Sequence, residues 1–205
     1  MEDGDIDKRA LQEELGQIKR AVGLQEEYPY WWRWWLVEGL GTGVIFPLLE
    51  WGIRDGFSAP LIVALVAVTL AHQLSLYRIQ SRYERPTTGI PSWGQWHLAL
   101  FAGTIAVFVG VRPFFDAVDG DEILTLWLVL VAGLLGLGYL YLGQLLRAYD
   151  IRKPDRYAFY TGGVWILVLA AAIPYVPAAH GFAFTIFGAS YASYCILAYV
   201  VLSRV

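Results

Sequence analysis

Six apolar runs, at 34–53, 57–77, 95–116, 123–145, 157–177 and 181–203, restrict what this 205-residue chain can become more than any other feature. Each is long enough to cross a hydrocarbon core of roughly 30 Å as a helix, which takes about 20 residues. Inside lipid every backbone N–H and C=O must be satisfied within the segment or within a closed barrel. The runs lack the period-two alternation of barrel strands, so helices remain. With 57% hydrophobic and 16% charged residues, the chain lies on the apolar side of ordinary globular usage, roughly 45–50% and about 25%. The expectation is an all-α polytopic membrane helix bundle: six transmembrane helices joined by short connections as three antiparallel hairpins, plus a short N-terminal amphipathic helix. Residues 1–30 form the amphipathic helix and an interfacial linker, and residues 31–205 the transmembrane domain.

Ahead of the first run stands Tyr28-Pro29-Tyr30-Trp31-Trp32-Arg33-Trp34-Trp35. Amphipathic rings around one guanidinium suit the headgroup layer, so Trp31, Trp32, Arg33, Trp34 and Trp35 are expected to anchor the chain at the membrane interface. Basic residues give the orientation. Of the 15 Lys and Arg residues, all but Arg54 and Arg112 fall in segments on the side of the N-terminus. The positive-inside rule then makes both termini cytoplasmic in a multi-pass cell-membrane protein. The first 30 residues are polar and acidic, with no secretory signal pattern, so insertion is expected to rely on the first transmembrane segment.

Leu11, Leu15, Ile18 and Val22 share one face of the N-terminal segment, with acids toward its start and Lys19 and Arg20 toward its end. This stripe rests on the protein's own loops or on lipid, or it serves a homo-oligomer or protein partner through residues 5–22. Small residues recur at four-residue spacing: Gly39/Gly43, Ala102/Ala106/Gly110, Ala132/Gly136 and Gly188/Ala192. Such faces allow close helix approach. Pro47, Pro113 and Pro174 fall near the outer ends of the odd-numbered runs, which fits either three related hairpins or simple helix punctuation.

Ionisable side chains within lipid are costly, so each is a functional candidate. Glu38, His72 and His97 share a depth near the cytoplasmic side and form a candidate ion or proton site, unless Glu38 merely reaches the interface and the histidines cap helices. Glu50, Arg112 and Asp116 form a candidate outer ion pair or gate, with a structural lock between the first and third helices as the plainer reading. Tyr191, Tyr194 and Tyr199 in the last run fit interhelical hydrogen bonding, a polar cavity or a planar lipid-soluble cofactor. Cys195 is the only cysteine, so no intrachain disulfide can form.

The formal charge of −3 gives no basis for nucleic-acid binding. No zinc-protease, serine-hydrolase or phosphate-loop motif is present, so no catalytic residue, metal or cofactor is assigned. Haem held between His72 and His97 is a faint option. The expected function is a structural, regulatory or accessory membrane component. The alternative is a transporter or channel for a small solute or proton using the two charged groups, and behind it a membrane redox or lipid-modifying enzyme.

Overall fold

A computed structural model describes residues 11, 14, 15, 17, 18, 31–81, 93–113, 118, 121–148 and 151–204. The protein is an all-helical membrane bundle. Its helices are α1 (Trp31–Asp55), α2 (Ala59–Gln80), α3 (Trp93–Val111), α4 (Asp121–Ala148), α5 (Lys153–Ala172) and α6 (Ala183–Leu202), with 3-10 turns at Ile173–Tyr175 and Pro177–Phe182 before α6. Pro60 and Pro154 sit in the first turns of α2 and α5, where a missing N–H costs nothing. Pro174 falls in the turn that ends α5, whereas Pro47 lies inside α1. The prolines therefore do not play one repeated role.

Among the described residues, five helices are long and apolar enough to span a membrane. The shorter one is α3, whose strongly apolar part is Leu98–Val111, about 21 Å at 1.5 Å per residue. Its contacts nevertheless follow α4 from one end to the other. Trp96 stacks on Tyr141 at 4.8 Å, and Phe108 stacks on Trp127 at 4.3 Å. That antiparallel register carries the chain back across the bundle.

The tightest packing does not follow the order of connections. α1 lies closest against α6, the far end of the chain, and α4 against α5; α1 and α2 form the next closest pair, while α3 and α4, and α5 and α6, touch more lightly. Glycine explains both close pairs. A Cβ on Gly43 would stand 3.0 Å from that of Ala192, and one on Gly188 would stand 2.9 Å from that of Phe46. Between α4 and α5, a Cβ on Gly163 would stand 2.9 Å from the carbonyl oxygen of Gly136. Backbones approach this closely only where side chains are missing. Among the described residues, the stripe Ala102/Ala106/Gly110 has no such mate. A Cβ on Gly110 meets nothing within 4 Å, and Ala102 and Ala106 are exposed. Leu100, two residues from Ala102, faces α4, and two residues on a helix turn through roughly 200°.

Trp32 packs on Tyr199 with centroids 5.4 Å apart, so the start of α1 and the end of α6 lie at one end of the bundle. The aromatic collar divides there. Arg33 is exposed and lies over the Trp32 ring at 4.8 Å. Trp34 and Trp35, at 5% and 0% exposure, are buried inside the bundle. They join Tyr139 and Phe159, with Tyr194 against Trp35, in an aromatic core. At about 100° per residue, Trp34, Trp35 and Glu38 fall within one arc of about 100° on the buried side of α1, with half-buried Trp32 at its edge and exposed Arg33 further round. The side chain of Trp31 lies outside the described residues.

Candidate functional site

Glu38 lies one turn beyond Trp34 on the buried face of α1, and both are among the core-facing residues. Its Oε2 is 3.1 Å from Nε2 of His72 on α2. Its Oε1 accepts from the Tyr139 hydroxyl of α4 at 3.4 Å. Tyr139 in turn is hydrogen-bonded to Tyr191 on α6. Four helices thus meet on one polar chain, His72–Glu38–Tyr139–Tyr191, with all four residues buried. Thr42, one turn along α1, donates its hydroxyl to the Glu38 carbonyl at 2.6 Å and so turns its polar atom away from the carboxylate. Gly41 makes room for His72, since any Cβ there would run into the imidazole ring. The other ring nitrogen, Nδ1, is buried and has no hydrogen-bond partner among the described residues.

Of the inner trio, Glu38 and His72 are therefore in contact, and the side chain of His97 lies outside the described residues. At the other end of α1, Glu50 binds α6. Its Oε2 accepts the Thr185 backbone N–H at 3.0 Å and its Oε1 accepts the Thr185 hydroxyl at 2.9 Å. Thr185 sits in the first turn of α6, where N–H groups lack helical partners and a carboxylate complements the macrodipole. Arg54 completes this clamp, donating to the Gly181 carbonyl at 2.8 Å with its guanidinium over Phe182. Arg112 is exposed just past the end of α3, and Asp116 lies outside the described residues. Glu50 thus uses a backbone N–H and a hydroxyl.

Between the two carboxylates α1 runs 12 residues, about 18 Å. That interval is filled by Gly43 against Ala192 and by the rings of Phe46, Phe184 and Phe187, with Phe46 and Phe187 centroids 4.8 Å apart. A groove of about 340 Å³ along the N-terminal half of α2 is lined by Phe57, Ile62, Leu65, Val66, Thr69 and Leu70, none of them titratable.

Two tyrosines of the last helix act as interhelical donors or acceptors. Tyr191 meets Tyr139, and Tyr194 bonds the Ala158 carbonyl and, at 2.8 Å, the Thr161 hydroxyl. Sequence reasoning passed over Tyr139, although Gly138-Tyr139-Leu140-Tyr141 is a polar signal inside an otherwise apolar helix. It also passed over Asp155, fully buried in the first turn of α5 and paired with Arg152 at 2.9 Å. Comparison with protein-family models, with curated proteins and with solved structures finds no match to this chain.

Proposed function

We propose that the protein is a structural or accessory component of the cell membrane and not a conduit, with both chain ends on the cytoplasmic side where the basic residues gather. The observation that carries this reading is the closed seam between α1 and α6. Gly43, Phe46 and Gly188 pack it, and the buried polar side chain on α1 between the Glu38 network and the Glu50 clamp, Thr42, is committed to the Glu38 carbonyl. A pathway for protons or polar solutes needs hydrogen-bonding groups or water along its length. Here about 18 Å of α1 separates the two polar levels, and aromatic rings occupy the gap. Exposed Leu11, Leu15 and Ile18, on helical residues ahead of α1, support the accessory reading by offering an apolar stripe to a second copy or another protein.

The test is reconstitution in proteoliposomes with a trapped pH dye and the membrane potential clamped. Vesicles carrying the protein should dissipate a pH gradient no faster than empty ones. Proton flux that Glu38→Gln abolishes would overturn the reading and place the protein among transporters.

A further inference from the structure

Glu38 gathers polar side chains from three neighbouring helices. α2 supplies His72, α4 supplies Tyr139, and α6 supplies Tyr191 together with Cys195, which lies against Gly39. α1 supplies Thr42, whose hydroxyl is committed to the Glu38 backbone. Each carboxylate oxygen already has a donor group at hydrogen-bonding distance, 3.1 Å for His72 and 3.4 Å for Tyr139. Direct coordination of a metal cation, at about 2.0–2.6 Å, would have to displace these groups. A proton fits into the bonds as they stand.

Charge in hydrocarbon is expensive, and a paired, net-neutral arrangement is far cheaper than a bare ion. With one labile proton the pair is neutral in two ways, as imidazolium and carboxylate or as imidazole and carboxylic acid. These differ only in where the proton sits along the 3.1 Å bond. A second proton leaves a buried cation, and removal of the first leaves a buried anion. The pair also holds α2 in place. The main contact of α2 is with α1, and it includes the His72 ring over Gly41 and, in the preceding turn, Phe57 against Gly52.

We propose that Glu38 and His72 form a one-proton binding site inside the membrane, linked through Tyr139 to Tyr191, and that its occupancy sets how firmly α2 is held to α1. α2 is held tightest when the pair carries one proton and loosens when it carries two or none. No proton need cross the membrane, so this inference and the flux test above fail independently.

The experiment uses the full chain in lipid nanodiscs. Infrared difference spectra between acid and alkaline pH follow the protonated-carboxyl stretch. Against the background of the chain's other carboxyl groups, one component of the band should be present in wild type, lost in Glu38→Gln, shifted in His72→Gln and retained in Glu50→Gln. Spin labels at exposed Leu74 of α2 and exposed Leu137 of α4, in a Cys195→Ala background, report the position of α2. Their distance distribution should be narrowest at intermediate pH, broaden toward both extremes, and lose this two-sided dependence in His72→Gln. Identical infrared spectra for wild type and Glu38→Gln would overturn the proposal. So would a label distribution of constant width at every pH in the otherwise wild-type chain, a measurement that does not depend on either substituted carboxylate folding.

Discussion

Two buried carboxylates on the same helix are satisfied in different ways. Glu50 is held by a backbone N–H and a hydroxyl at the start of α6, groups that do not change charge in the accessible pH range. Glu38 is held by an imidazole and a phenol, both titratable in principle. Both anchor α1 to another helix, yet only the inner one sits among partners able to take or give a proton. A carboxylate in lipid therefore need not signal chemistry by itself. The nature of its partners decides between a cap and a site.

This contrast can be broken at either end. The largest effect is expected from His72→Leu, which removes one partner of the inner pair at similar volume. Loss of one member of a buried pair costs about 3–5 kcal/mol, readable as lowered resistance to denaturing detergent in reversible unfolding. A smaller and more diagnostic quantity is the coupling in a double-mutant cycle. Glu38→Gln with His72→Gln should depart from additivity by about 0.5–3 kcal/mol, whereas Glu38→Gln with Glu50→Gln should add within about 0.5 kcal/mol because the sites are well separated. Coupling of equal size in both cycles would erase the distinction. Thr185→Val removes one of the two bonds to Glu50 and should cost about 1 kcal/mol in the same unfolding measurement. Glu50→Gln keeps an acceptor for Thr185 and loses only the charge at the α6 terminus, worth about 0.3–1 kcal/mol. The same unfolding measurement at neutral pH checks it.

The six helices could be read from the sequence because span length and apolar content are properties of a single segment. The small-residue faces were legible to the same degree: Gly39 and Gly43 do marry α1 to another helix, with Gly188 and Ala192 on the other side. What spacing could not name was the mate, because choosing α6 over α2 depends on how each helix is rotated and tilted. The same limitation explains α3, whose Ala102 and Gly110 lie on the face turned away from α4. Glu38 and His72 share a depth, and depth follows from counting residues. Glu50 was harder, since its partner is a threonine N–H some 135 residues away and no charge pattern marks a backbone donor. Trp34 and Trp35 belong to an indole cluster suited to an interface, but two residues a quarter-turn from their neighbours look into the bundle.

The embrace of α1 by α6 also sets a timetable for biosynthesis. Gly39 leaves the ribosome roughly 155 residues before Cys195, an interval on the order of 10–30 s at ordinary elongation rates. During that wait the glycine face of α1 has no mate in the nascent chain. The acid on the same helix fares better, because His72 follows only 34 residues behind it. A hairpin of α1 and α2 can thus shield the carboxylate early, and ribosome-stalled chains ending after α2 should already tolerate Glu38 in the bilayer better than chains carrying His72→Leu.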